Sequence, residues 1–275
     1  MNFLFFRSLP VLLLGFMLSS PGCESASPHS DGPDTASTPP SSPTGSVNAD
    51  FDISTEQPRC PATIRLIAAA QSGDLTVAML EDLISAGADV GATRLPSGGN
   101  PVLILTITGP YNPDVVVIVE RMLDAGADVN QANVNGVTAV AAAAAFSEQS
   151  VGLVGLLLER GADPNIIQRS GANLLFATMF GSACEDLIPL VLASPIPVDL
   201  SHRFKLKTIL EAAISSCPSV CDLLLEHGAT ADPFFRLKSG DTILEVAKRG
   251  DYWAGTKPGP MTMAYLEGRA AETNP

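Results

Sequence analysis

The side chains with most scope for chemistry in this chain are three histidines and five cysteines, and their placing narrows what that chemistry can be. His29 stands in a Ser/Pro-rich stretch, His202 in a polar connection, and His227 directly before Gly228 at the end of an apolar run. A basic residue at that last place suits the negative end of a helix. No Ser, Cys or Asp adjoins a histidine in a nucleophile pattern, and no glycine-rich loop has the spacing of a phosphate cradle. Asp89, Asp128 and Asp163 make a spaced carboxylate series, but each follows a Gly-Ala pair after an apolar run and is expected to bond locally. No convergent acid–base set can be assembled, so the chain is expected not to be an enzyme. Cys217 and Cys221 lack a second ligand pair of zinc-site spacing, so no metal is expected, and no cofactor.

The positions of these residues follow a repeat. Gly-Ala-Asp occurs at Gly87, Gly126 and Gly161, with a worn copy at Gly228, and Gly126 to Gly161 is 35 residues. That period belongs to helical arrays whose units bury their apolar faces against one another. Each copy follows an apolar stretch (Met79 to Ile84, Val115 to Leu123, Val151 to Leu158, Val220 to Leu225) and so reads as a glycine-capped helix end. Val115 to Val119 has the β-branching of a strand, yet its place in the repeat predicts helix. A second landmark follows each finger: Gly98-Gly99-Asn100, Gly136-Val137-Thr138, Gly171-Ala172-Asn173 and Gly240-Asp241-Thr242, with Lys205-Leu206-Lys207-Thr208 keeping the threonine and losing the glycine. Thr or Asn there predicts the N-cap of a further helix, with Pro101 in a first turn. In the fourth unit Pro195 takes the place of the glycine and predicts an irregular helix end. The first unit predicts a second helix lengthened around Glu81-Asp82.

With these landmarks the chain resembles the ankyrin-repeat family, over about Ala62 to Gly250. The ending Leu156-Leu157-Leu158-Glu159-Arg160-Gly161-Ala162-Asp163 carries the resemblance best. The family's Thr-Pro-Leu-His segment is kept only in part, as in Asn100-Pro101-Val102-Leu103 and Thr138-Ala139-Val140-Ala141, and its histidine is absent. The resemblance implies an all-α fold: an αα solenoid with β-hairpin-like fingers, in five to six repeats. It spans a domain at 60–252, with 253–275 as a C-terminal cap or tail that includes a last helix over Pro260 to Ala271.

The N-terminal part has a different composition. Residues 1–22 contain the run Pro10 to Leu18, too short for a comfortable span and suited to a secretory signal. Gly22-Cys23 resembles the lipobox of bacterial lipoproteins, in which Cys23 would be lipidated; the usual leucine three residues before the cysteine is missing, and simple secretion and an uncut anchor stay open. Residues 23–59 are rich in Ser, Pro, Thr, Gly and Asp, too poor in apolar groups to pack, and read as a tether with a reach of roughly 30 Å. Localisation is therefore expected in a bacterial cell envelope, facing the periplasm or exterior, with membrane contact through a lipid anchor only. In an exported chain cysteines can be oxidised. Cys184 and Cys217 both fall near the turn between two helices in neighbouring units, so a disulfide would staple those units. Equivalent positions of stacked helices lie roughly 10 Å apart, so the turns would have to lean together. Cys221 reads as a buried thiol.

From Cys60 onward the chain has 14 basic and 23 acidic residues, a net of −9, which makes nucleic acid a poor partner. The resemblance implies instead a monomeric module that holds a protein partner on the concave face of fingers and first helices. Arg169, Arg203 and Arg236 each lie four residues after Asn165, Asp199 and Asp232, and Arg94 stands on an earlier finger. Lined up, they would make a basic row suited to an acidic partner. Ile167, His202, Phe204, Phe234 and Phe235 adjoin them as contacts and anchors. The same arginines would also serve simply to keep the finger edge soluble, with the phenylalanines packed between fingers. An inhibitor or immunity-type protein and a multi-partner envelope scaffold are the alternative roles.

Overall fold

The computed structural model describes residues 60–94, 99–147, 149–179, 183–250 and 256–273. The signal region, Cys23 and the tether lie outside these. Twelve α-helices account for almost all the regular structure among the described residues: α1 Pro61–Ser72, α2 Val77–Ser85, α3 Val102–Thr108, α4 Val115–Asp124, α5 Ala139–Phe146, α6 Ser150–Glu159, α7 Leu174–Thr178, α8 Cys184–Leu192, α9 Ile209–Ser216, α10 Cys221–Glu226, α11 Ile243–Arg249 and α12 Pro260–Thr273. A 3₁₀ turn, Pro218–Val220, leads into α10. The only paired strands described are β1 Thr93–Arg94 and β2 Asn100–Pro101, antiparallel with Thr93 opposite Pro101.

The helices pack in two rows. Odd-numbered helices touch in succession, α1 on α3 through to α9 on α11; even-numbered ones do so from α2 to α8, which then meets the 3₁₀ turn leading into α10, and α12 packs on both α10 and α11. An interior helix of the odd row therefore has a neighbour on each side and its own even-row partner behind it. Its sequence reflects this: Val102 to Ile107, Ala139 to Ala144, Leu174 to Thr178 and Ile209 to Ile214 are buried without a break. A helix apolar all round belongs inside. The alanines of α5 let its neighbours close in, and the even row shows the opposite pattern, a one-sided stripe such as Val115, Ile118, Val119 and Met122 in α4. Val115 to Val119 is thus helical; Val115, Ile118 and Val119 fill the gap between the rows and Val117 is exposed.

Four even helices end alike. The N–H of Ala88, Ala127, Ala162 and Ala229 reaches back to the carbonyl of Leu83, Met122, Leu157 and Leu224, and the preceding glycine N–H bonds inside that loop. Gly87, Gly126, Gly161 and Gly228 hold φ between 83° and 92°, which glycine takes without strain. In the fourth unit Ser194, not Pro195, occupies the glycine position, bonding to the Val191 carbonyl. Pro195 stands one place later and has no N–H to return, so the outer bond of the motif is missing there. Two further expectations change. Pro101 precedes α3 instead of starting it, drawn into extended backbone (φ −55°, ψ 150°) by pairing with Thr93. Helix α2 has nine residues, one fewer than α4, so it is not lengthened.

Candidate partner-binding surface

The fingers are built from one recurring turn. The carboxylates of Asp89, Asp128, Asp163, Asp199 and Asp232 each accept the backbone N–H two residues on, at 2.8 to 2.9 Å. The carboxylate series is finger scaffolding. At Asp199 the Ser201 hydroxyl adds a second bond and, with the Ser201 N–H, holds the carboxyl below the ordinary range. Beyond each of the last four aspartates the chain folds back on itself, with Gly136 bonded to Asn133, Gly171 to Gln168, Lys207 to Phe204 and Gly240 to Leu237.

These turns give the true register of the basic residues. Counted from the turn-forming aspartate, Arg203 and Arg236 stand four residues on, level with Ile167. Arg169 stands six residues on, level with Lys205 and Lys238. The expected single row of three arginines is therefore two staggered rows, because Asp163 and not Asn165 begins its finger. All five of these cations are exposed. Arg203 donates to the Leu206 carbonyl at 3.4 Å and Arg236 to the Gly240 carbonyl at 2.8 Å, so both guanidinium groups lie along their own fingers. Lys205 sits 4.9 Å over the Phe204 ring. Burial pulls the half-buried Lys207 ammonium below its usual pKa, while Glu211 opposes that shift.

The apolar neighbours divide into two sets. Phe204 packs against Phe176 with ring centroids 5.4 Å apart, and His202 meets Phe176 edge-on while bonding to the Gly171 carbonyl at 2.7 Å. Both fasten the finger to the preceding unit, and Phe235 likewise packs on the core. Ile167, Leu206 and Phe234 instead remain 56%, 76% and 45% exposed. Arg94 contributes its backbone to β1, and its side chain is outside the description. The helix half of the expected concave face offers little beyond the C-terminal ends of its interior odd helices, where Thr108, Phe146 and Ser216 are exposed. The available surface is the fingers themselves.

Leu206 has no counterpart in the expected site. Asp163 to Asp199 is 36 residues, but Asn173 to Thr208 is 35, so the fourth finger is one residue short between its aspartate and its helix cap. That mismatch is the sequence signal. It leaves the two-residue tip Lys205-Leu206, at φ 50° and 70°, where the other fingers use Gly136, Gly171 and Gly240. Holding side chains in this region costs roughly 1 kcal/mol or more per residue.

Each of α2, α4, α6, α8 and α10 carries carboxylates, as at Glu81, Glu120, Glu159, Glu185 and Glu226, while the fingers carry Arg169, Arg203, Lys205, Arg236 and Lys238 beside their own aspartates. Arg160 bridges Glu120 at 3.0 Å and Asp124 at 2.7 Å and so ties α6 to α4.

The sulfurs are differentiated. Cys184 and Cys217 are joined, with Cα atoms 6.6 Å apart. Cys184 opens α8 and Cys217 closes α9, so the pair is diagonal between units and shorter than the roughly 10 Å between equivalent helix positions. Cys60 is exposed, and a hydrogen bond from the Thr63 hydroxyl, at 3.1 Å, holds its pKa below the ordinary thiol value. Cys221 is fully buried, which pushes its pKa up to about 12. Iodoacetamide at pH 7.5 is therefore expected to label Cys60 in the native protein and Cys221 only after unfolding; mass spectrometry finding Cys221 labelled before Cys60 would contradict this. Among the described residues no group of three or more His, Cys, Asp or Glu is placed to hold a metal, and no helix is long and apolar enough to cross a membrane. Compared with models of known protein families and with curated proteins, the chain gives no match.

Proposed function

We propose that this chain is an exported ankyrin-type repeat protein that binds an acidic protein partner through its fingers and catalyses nothing. The repeat reading draws on three features of one period: the glycine-capped even helices, the Asp turns that open the fingers, and the Thr or Asn caps of the odd helices. Export and lipid attachment draw on the apolar run before Gly22-Cys23. The observation that carries the binding reading is the set of exposed cations on three successive fingers, Arg169, Arg203, Lys205, Arg236 and Lys238, in a chain of net charge −13. Such a patch speeds encounter with an acidic surface.

Arg169→Glu, Arg203→Glu and Arg236→Glu combined are expected to reduce capture of the partner from a native envelope extract by at least about tenfold, most clearly at low salt. The far-ultraviolet helical signal should be unchanged, because all three side chains are exposed. Capture that survives the triple reversal would remove the fingers from the site.

A further inference from the structure

We infer that the finger Arg203 to Lys207 is the anchor of this surface, with Leu206 inserted into the partner, and that the partner offers an acidic polypeptide segment bearing large apolar side chains. The inference rests on the binding reading above and specifies its chemistry.

Neither the fold nor the backbone asks for a leucine at this position. Leu206 is the most exposed large apolar side chain among the described residues, at 76%, so it stabilises no core. Its φ of 70° is one that glycine or asparagine would adopt with less strain, and the adjoining Lys205 is left-handed as well. A bulky residue kept in an unfavourable conformation without any packing return is the pattern of a residue held for contact. Its surroundings agree. The Arg203 guanidinium is fastened to the Leu206 carbonyl itself, and Lys205 is steadied over Phe204. Phe204 is in turn fixed on Phe176 of the preceding unit. The leucine thus stands between two cations that each have a partner on their own finger, and such preorganisation favours tight contact. The neighbouring fingers repeat the combination less strongly, with Ile167 by Arg169 and Phe234 by Arg236 and Lys238. Cations around an exposed apolar tip match carboxylates around an apolar side chain, which fixes the partner's chemistry.

The test uses purified chain and synthetic 12-residue peptides: one of Glu with two Leu, one of Glu with Ser in their place, and a Lys-for-Glu control. Wild type is expected to bind the Glu/Leu peptide at least about tenfold more tightly than the Glu/Ser peptide. Leu206→Gly should erase that preference and at the same time raise Tm by about 2–4 °C, as turn strain is relieved. Leu206→Met should keep both the preference and the wild-type Tm. Improved stability together with lost binding is a combination that a merely structural leucine does not produce. If both acidic peptides bind equally, Arg203→Glu weakens both and Leu206→Gly changes neither, the anchor is refuted while the basic-surface reading stands. If neither acidic peptide binds, or Arg203→Glu has no effect, both fall. A lower Tm for Leu206→Gly overturns the inference, as does Leu206-dependent binding to phosphatidylglycerol vesicles without peptide binding.

Discussion

Glu211→Ala is expected to cost about 3 kcal/mol of stability, because it leaves two backbone donors without their acceptor at roughly 1–3 kcal/mol each. Glu211 is a fully buried carboxylate in the first turn of α9. One oxygen accepts the Thr208 N–H at 2.9 Å, closing the capping box of its own helix. The other accepts the Asp232 N–H at 2.8 Å and so holds the next finger. Glu245 supplies the comparison, since it forms the same box on Thr242 at the exposed end of the array. The Thr242 N–H holds its carboxyl below the ordinary range. Its contribution is therefore present above the usual carboxylate pKa and is lost as pH falls through the lowered one. Glu245→Ala should be clearly milder, as water can replace the lost acceptor. Glu211→Gln should fall between, since the amide keeps one acceptor and turns a donor on the other N–H. Urea denaturation at pH 7 measures all three, and equal losses for the Glu211 and Glu245 variants would remove Glu211 as the joint between units.

Cys184→Ser with Cys217→Ser should cost a further about 3–4 kcal/mol in the chain-entropy account, given the 33 residues between the two sulfurs. The loss corresponds to a fall in Tm of about 10 °C for a domain of this size. Reductant should reproduce it in the wild type and do nothing to the double variant. A wild-type Tm indifferent to reductant at full thiol release would show that packing alone holds the two units. The bridge and Glu211 act at adjoining places: Cys217 ends α9, the helix that Glu211 begins. This part of the chain also lacks a regular glycine cap at Ser194-Pro195 and carries the shortened finger. The strongest fastenings thus coincide with the least regular unit, which a loss of regular bonding would otherwise weaken.

Most of the helices were legible because their signals are local. A glycine that needs positive φ, a threonine that caps, and an apolar stripe each declare themselves within a few residues, and the repeat period decided in favour of helix for Val115 to Val119. Errors arose where equivalence depended on a bond. Asn165 and Asp163 are both plausible turn residues in the sequence, and only the bond from Asn165 N–H to Asp163 shows which opens the finger. The arginine register follows from that choice. Pro195 looks like the replaced glycine in the sequence, and only the bond from the Ser194 N–H to the Val191 carbonyl shows that Ser194 holds that place. The role of Glu211 was illegible for another reason: a glutamate at a helix start looks like solvent-facing capping, and its burial is decided by a finger 21 residues later. For the surface, the cations and exposed apolar residues could be named from sequence, but Phe204 could not be told from Phe234 until Phe176 was seen beneath it.

The asparagine amides at the finger bases have a bearing on how such a chain can lengthen. Asn130 donates to the Gly161 carbonyl and accepts the Asp163 N–H; Asn165 does the same with Pro197 and Asp199. Both ends of the stretch from Gln131 to Asn165 therefore present identical bonding. A copy of that stretch would meet the same amide–carbonyl and amide–aspartate bonds at both of its ends. The corresponding place in the next unit is Ser201, whose hydroxyl is spent on its own Asp199. A copy ending there would strand the following aspartate N–H unless it also carried a buried glutamate. The asparagine link thus joins successive fingers in the middle of the chain, and toward the C-terminus Glu211 takes its place.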